Sequence, residues 1–406
     1  MSESPEYSSI IVQLARLGDL IQSWILVSRL QERNGKNSTA LVVDDKLAPL
    51  AALMVGKHYV IPIPTEEILK SYVNDKLPGW WIRAKLLLKM MRNHEFDQVI
   101  NLNYHPSAAA IAEVIPAGVH RGARWRDVKD NIPSDEQLRD LFTAATGLRK
   151  GSRHLSDIWS EYAGDSSINA DFKSLNVPDY IVEQSRNLLD NSPLDKTKKP
   201  VAIIVGSGMQ ARSLSTEFLS GLISLITHET PVILIGTARD VEIADIILSR
   251  SEADSSRLVS LCGKTDLLTL AGILKISRLT VGVDTGALHL SAMIGTRCLG
   301  LYYGSMNFRE TGPYGDGHIV VTPYDPSYPC QEREMELSPN LHSFDVDADS
   351  VALTIINMLN DYPQSHLFNA NIFESFISEH GLTWCECMSF EVPSAVYASD
   401  SKLIPV

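Results

Sequence analysis

Residues 281–296 read VGVDTGALHLSAMIGT, and Leu279 and Thr280 stand immediately ahead of them. The β-branched, apolar run 279–283 predicts a buried strand. Asp284, Thr285 and Gly286 then turn the chain into a helix beginning near Ala287, with Asp284 or Thr285 as its cap. Glycine at 286 lets a ligand approach the backbone closely. The N–H groups of a helix's first turn carry the partial positive charge that favours a phosphate or diphosphate. His289 falls one turn further on, on the face of Thr285. A well-capped junction with nothing bound has the same pattern, so this stretch alone leaves both readings open.

Working outward, the same alternation recurs on both sides. Residues 201–205 read as a strand, 206–215 as a glycine-containing loop and 216–226 as a helix; a strand at 231–235 ends at Gly236 and leads through Thr237-Ala238-Arg239-Asp240 into another helix. Nearer the start, 9–13 is a strand, ARLGD a tight loop, and 20–32 an amphipathic helix presenting Trp24, Leu26, Val27 and Leu30. Strand-like runs follow at 39–43, 59–63 and 98–102, with helix-like stretches such as 81–93 between them. Alternating β and α predicts mostly parallel sheets covered on both faces, here as two Rossmann-like halves. Regularity fades between about 165 and 200, where Asn191-Ser192-Pro193 and the lysine-rich 196–200 resemble a linker. The expected division is therefore an N-terminal domain at 1–190, a second at 191–345, a closing helix at 346–362 and an extension of weak periodicity at 363–406.

Size and charge narrow the partners. At 406 residues the chain exceeds one ordinary core, and 44% hydrophobic with 21% charged residues is an ordinary globular balance. Of the 36 basic and 49 acidic residues, 25 of each lie in residues 1–200, leaving 11 against 24; the first half is neutral and the second acidic. That balance argues against nucleic acid and gives no general attraction to anionic membranes, so a phosphate site must be local. MSESPEYSS lacks the basic and apolar regions of a secretory signal, and no apolar run reaches membrane-spanning length. The five cysteines are Cys262, Cys298, Cys330, Cys385 and Cys387; their odd number without paired CxxC spacing fits a reducing cytoplasm, with Cys385 and Cys387 as ordinary thiols. Arg83, Lys85, Lys89 and Arg92 beside Trp80 and Trp81 suit a solvated helix face more simply than a membrane contact.

Three further motifs carry chemistry. Gly206-Ser207-Gly208-Met209-Gln210-Ala211 satisfies a GxGxxA pattern, yet Gly236 stands at the end of the next strand, where a dinucleotide site needs an acid, and Asp240 comes later. The loop therefore reads as the phosphate side of a nucleotide-sugar site, with Arg212 as a bidentate donor; a surface arginine after a turn is the plainer alternative. Gly18-Asp19 occupies the equivalent loop of the first half. If the halves face each other, Asp19 points to the anion site and can serve as a base; otherwise it is the N-cap of a helix starting at Leu20. Asp345-Val346-Asp347 looks like a metal-binding DxD, but it adjoins a helix and a capping aspartate explains it. Asn103, Tyr104, His105 and Ser107 follow a first-domain strand and are candidates for the acceptor side.

Taken in order, RLGDLIQ, EFDQVINL, ILIGTARD, LCGKTDLLTLAGIL, VGVDTGALHLSAMIGT and TGPYG resemble the motifs of glycosyltransferase family 9, the ADP-heptose heptosyltransferases, over roughly residues 10–359. The resemblance implies a GT-B fold and an inverting, metal-independent transfer of heptose, or a related sugar, from ADP-heptose to lipopolysaccharide core or another cell-envelope glycan. It implies a bacterial, cytoplasmic enzyme, peripheral at the inner membrane where the acceptor is a glycolipid. Asp19 falls on the family's base position, and Asp284, Thr285, Gly286 and His289 on its donor-binding positions. Asp240 matches the ribose contact and Thr265 the nucleoside pocket, with Gly206, Ser207 and Arg212 beside them. The chain departs where the family commonly carries Lys followed two residues later by Trp, since Ala211, Arg212 and Ser213 stand there. It departs again at Arg297, where a proline is usual, and it retains only Cys330 of the cysteines common after Pro329. Two competing expectations are a nucleotide-sugar-binding partner without turnover, motivated by the altered Lys and Trp, and a dinucleotide-dependent oxidoreductase, resting on GxGxxA alone.

Overall fold

The computed structural model describes residues 8–67, 96–145, 153–164, 172–324, 328–330, 343–364, 367, 370–378 and 381–387. The helix expected at 81–93, with Trp80, Trp81, Arg83, Lys85, Lys89 and Arg92, lies outside these. Five strands, β1 (Ser9–Gln13), β2 (Thr39–Asp44), β3 (Val60–Ile63), β4 (Phe96–Asn101) and β5 (Ala117–Gly122), form one parallel sheet in the order β3-β2-β1-β4-β5. Its central strand is buried along its whole length, as expected of a parallel sheet covered on both faces. Among the described residues, the helices of this half are α1 (Leu17–Gln22), α2 (Trp24–Asn34), α3 (Ala48–Val55), α4 (Pro106–Val114), α5 (Trp125–Asp130), α6 (Glu136–Ala145) and α7 (Leu155–Ser160).

The helix expected at 20–32 is two helices, and it begins earlier. The Asp19 carboxylate accepts from the Arg16 N–H at 3.1 Å, which starts α1 at Leu17. Asp19 is thus the third helical residue, not the N-cap. Ser23 separates the two helices; its N–H still donates to the Asp19 carbonyl at 3.1 Å, and its hydroxyl adds a bond to the Leu20 carbonyl at 2.6 Å.

A second sheet has the order β13-β12-β11-β10-β9-β6-β7-β8. Strands β6 (Val201–Ile204), β7 (Val232–Ile235), β8 (Leu258–Ser260), β9 (Leu279–Gly282), β10 (Cys298–Leu301) and β11 (Ile319–Pro323) are parallel; β12 (Ala370–Ser378) and β13 (Gly381–Glu386) add an antiparallel hairpin. The stretch set apart by weak periodicity is therefore built into the edge of this sheet. It alternates only partly because Ile372, Phe373 and Leu382 go inward while Glu374, Phe376 and Cys385 stay exposed. Among the described residues, its helices are α8 (Asp179–Asp190), α9 (Thr216–Ile226), α10 (Val241–Arg250), α11 (Leu267–Ile276), α12 (Gly286–Met293), α13 (Phe308–Thr311) and α14 (Ala348–Leu359).

The chain crosses between the halves upstream of α8, earlier than the boundary read at 190. Helix α7 is tied to α2 by the Arg29 guanidinium donating to Ser160 Oγ at 2.9 Å, whereas the Ser185 hydroxyl of α8 donates to the Thr269 carbonyl of α11 at 3.1 Å. Asp347 caps α14, accepting from the Ser350 N–H at 2.7 Å. Among the described residues, no helix is long and apolar enough to cross a membrane.

Burial holds two histidines neutral: His154 is pushed down to about 3 and His318 to about 4, from an ordinary 6.5. The unfolded chain takes up protons at 6.5 that the folded chain refuses, so their contribution to stability falls as the pH drops below 6.5. Buried Asp19 and Asp157 are raised and act in the opposite sense nearer 3.8. Urea unfolding of the native chain should therefore show a falling midpoint between pH 7 and 5.5, and His318→Gln should flatten that slope.

Candidate functional site

Both sheets turn the carboxyl ends of their strands toward one cavity of about 930 Å³. Arg16, Leu17, Gly18, Asp19 and Gln22 line it from the loop and helix after β1. From the second sheet come Gly206, Ser207 and Arg212 after β6, Thr237, Arg239 and Asp240 after β7, Thr265 and Asp266 after β8, and Asp284, Thr285, Gly286 and His289 after β9. Loops at strand ends gather here because parallel βα units put all their βα turns on one edge.

The βα turn after β9 differs locally from its sequence reading. Thr285 stands at the N-cap position of α12, but its hydroxyl makes no capping bond and is buried with no hydrogen-bond partner. The Asp284 carboxylate does not cap either. It lies 3.1 Å from His289 Nε2 and also receives the Tyr302 hydroxyl at 3.4 Å, an imidazole and a phenol being better partners than the exposed first-turn amides. The Asp284 carboxylate is thus drawn away from the α12 N-terminus, whose first residues, Gly286 and Ala287, line the cavity. Gln22 Nε2 is 3.4 and 3.3 Å from the two His289 ring nitrogens, a near-equal spacing that places the amide over the ring rather than in line with one nitrogen.

Helices α1 and α12 meet at van der Waals limits. A Cβ on Gly286 would stand 2.8 Å from Leu17 Cβ and 3.0 Å from the Gly18 nitrogen, and one on Gly18 would stand 2.8 Å from His289 Cδ2. Gly286 therefore admits the other half of the protein, in addition to any ligand. Asp19 is carried into this seam, and burial raises its carboxyl above the ordinary 3.8; the Arg16 N–H and His289 pull it down and Asp284 pushes it up.

Asp240 accepts from the Thr237 N–H at 2.6 Å and its hydroxyl at 2.7 Å. A Cβ on Gly206 would fall 2.1 Å from Asp240 Oδ1, so that glycine makes room for the carboxylate at the end of β6. The Arg212 guanidinium donates to Ser305 Oγ at 3.3 Å on the cavity wall. The GxGxxA loop does not open into a helix as a dinucleotide fingerprint does: a short 3₁₀ turn at Gln210–Arg212 intervenes and α9 begins at Thr216.

The acceptor-side candidates do not line the cavity. Asn103 is buried in a strut: its Oδ1 accepts from the Leu14 N–H at 2.6 Å, its Nδ2 donates to Gln13 Oε1, and its N–H donates to Asn101 Oδ1 at 3.0 Å. It braces the loop leading to Asp19. His105 caps α4, with Ser107 Oγ 2.7 Å from its Nδ1, and Tyr104 donates to the Asp127 carbonyl at 2.7 Å. Sequence reasoning passed over Arg16, Gln22, Arg239, Asp266 and Thr311, all on the cavity. Gln22 was accessible in principle, since it is three residues after Asp19 and shares its helix face.

Two Rossmann-like halves that share one cavity at their strand ends form the GT-B architecture. The profile of glycosyltransferase family 9 (heptosyltransferase) matches residues 84–340, and the chain belongs to that family. It is 22% identical over 328 residues to lipopolysaccharide heptosyltransferase 1 of Campylobacter coli, covering 77% of this chain and 88% of that one. The solved family 9 glycosyl transferase of Veillonella parvula superposes with a TM-score of 0.70 at 17% identity, covering 88% of this chain and 99% of its own. Heptosyltransferase WaaC of E. coli, solved with ADP, gives 0.61 at 19% identity, covering 86% and 99%. The chain is therefore an enzyme of glycosyl transfer, which sets aside both the oxidoreductase and the non-catalytic readings.

Gly286→Ala should cost about 1–3 kcal/mol, because the methyl must force α1 from α12. Gly208→Ala, whose Cβ would meet nothing within 4 Å, should change stability by no more than about 0.5 kcal/mol. Denaturant unfolding of the two variants checks the contrast.

Proposed function

We propose that this enzyme transfers a heptose, with inversion and without a required metal, from ADP-heptose to a hydroxyl of a cell-envelope glycan such as lipopolysaccharide core. The observation that carries the reading is the placement of Asp19, its carboxyl raised by burial, opposite the N-terminus of α12 with its partnerless Thr285 hydroxyl. The diphosphate sits at that N-terminus, where N–H groups, the Thr285 hydroxyl and Arg212 meet its charge. Asp240 and Thr265 take the nucleoside end. The acceptor oxygen attacks the anomeric carbon from the face opposite the diphosphate; the carbon–oxygen bond to the phosphate breaks with its electron pair leaving on ADP, and the acceptor proton passes to Asp19. One base is sufficient, since the diphosphate leaves without protonation.

Support for the donor comes from the ADP with which the E. coli heptosyltransferase was solved, and support for the acceptor from the lipopolysaccharide in the name of the Campylobacter relative. Work at the inner face of the cytoplasmic membrane follows if the acceptor is a glycolipid.

Asp19→Asn should keep ADP affinity within about twofold and lower turnover at least a hundredfold, as loss of a general base does. Calorimetry with ADP and chromatographic assay of ADP release check the two halves; near-normal turnover would sink the role of Asp19. A base with a raised pKa is protonated at higher pH than an ordinary aspartate. The acid limb of kcat/KM should accordingly lie above 3.8 and be absent from the residual activity of Asp19→Asn. Chelator treatment should leave turnover unchanged.

A further inference from the structure

Away from the α1–α12 seam, the halves also touch through buried polar groups that the proposed chemistry does not use. Asp157 of α7 receives the Tyr314 hydroxyl on one carboxylate oxygen at 2.5 Å and the Leu382 N–H on the other at 3.0 Å. Tyr314 belongs to the turn Thr311-Gly312-Pro313-Tyr314-Gly315, and Leu382 to β13, a strand beyond the residues that match the family profile. A Cβ on Gly381 would fall 2.4 Å from Asp157 Oδ2, so the hairpin closes directly on the carboxylate. One turn earlier, His154 accepts from the Ser156 N–H through Nδ1 at 3.1 Å and donates from Nε2 to the Gly312 carbonyl at 2.9 Å. On its other side the turn meets Trp384 of β13, whose ring a Cβ on Gly312 would approach to 2.6 Å.

This contact reaches the cavity at both ends. On the first-domain side, α7 is bonded to α2, which continues directly from the helix that carries Asp19. On the other, Thr311 lines the cavity, and the buried Tyr302 hydroxyl stands 3.1 Å from its carbonyl and 3.4 Å from Asp284. The halves also share an apolar core, where Leu20 and Leu50 of the first cluster with Leu270 and Leu274 of the second; such burial is non-directional and lets packed elements slide, whereas a hydrogen-bonded attachment fixes their register. Resting on the reading above, we propose that Asp157 is a positioning residue of the transfer reaction: by docking the 311–315 turn and the C-terminal hairpin onto α7, it sets the separation of Asp19 and Asp284.

Asp157→Asn keeps the shape but replaces one acceptor oxygen with a donor, and Tyr314→Phe removes a single hydroxyl. Each should lower kcat at least tenfold while the dissociation constant for ADP stays within twofold. The double variant should be no slower than the worse single, because both remove one docking contact. Hydrogen exchange at the Leu382 amide should quicken in Asp157→Asn, a readout that needs no turnover. Retention of kcat within twofold in Tyr314→Phe, or unchanged protection at Leu382 in Asp157→Asn, overturns the inference. Loss of ADP affinity in step with kcat also overturns it, since that marks general unfolding of the donor site. If the native chain releases no ADP from ADP-heptose, the proposed reaction fails by itself, and exchange at Leu382 still decides whether Asp157 docks the halves.

Discussion

The close approach of α1 to α12 is the constraint on which the arrangement depends. A shared apolar cluster joins the halves, with Leu20, Ile21 and Leu50 of the first beside Leu270, Leu274 and Leu290 of the second, but apolar burial is non-directional and does not by itself set how closely two helices approach. Here Gly18 and Gly286 remove the side chains that would keep the helices apart, and His289 fills the space beside Gly18. Contact at this distance brings Asp19 within the field of Asp284 and His289, so that its acidity is set partly by the opposite half of the molecule. A glycine is often read as conformational freedom or as room for a ligand. At 286 its absent side chain makes room for another helix.

Around that seam, polar groups are either fully engaged or turned to the cavity. Gln13, Asn101 and Asn103 are buried and bonded to one another and to the backbone of the loops after β1 and β4, which fixes the path into α1. Burying amides in this way is tolerable only when nearly every donor and acceptor is satisfied. The Thr285 hydroxyl is an exception, buried and without a partner at the end of a helix. An unpaired group costs stability where it stands, and such costs concentrate where a ligand supplies the missing bond.

Much of the architecture was legible in the periodicity of the chain. Strands at 9–13, 39–43, 201–205 and 231–235 agree with β1, β2, β6 and β7 to within a residue, because fully buried parallel strands are continuous apolar runs bounded by turn residues. Errors arose where a side chain chose a partner that local pattern does not specify. Asp19 reaches back to Arg16 and moves a helix start by three residues, and the run divides at Ser23, whose hydroxyl bonds the Leu20 carbonyl. The hairpin at 370–386 is not legible in the periodicity because an edge pair with a mixed face has only partial alternation. Asn103 and His105 looked like ligand groups because polar residues after a strand often are; the fold uses them as a strut and a cap.

By itself the sequence determined the two α/β halves, the family, and the loops that end on the cavity, because these follow from hydrophobic period and from motifs short enough to be read locally. Tertiary structure alone decided what each polar group in those loops faces. Asp284 pairs with His289 instead of capping α12, Gly286 receives Leu17, and Asp157 meets Tyr314 and Leu382, its partners lying 157 and 225 residues away along the chain. The physical reason is that burial, charge and hydrogen bonding act through space over a few ångströms, and no periodicity in a chain records which distant residues will share that space.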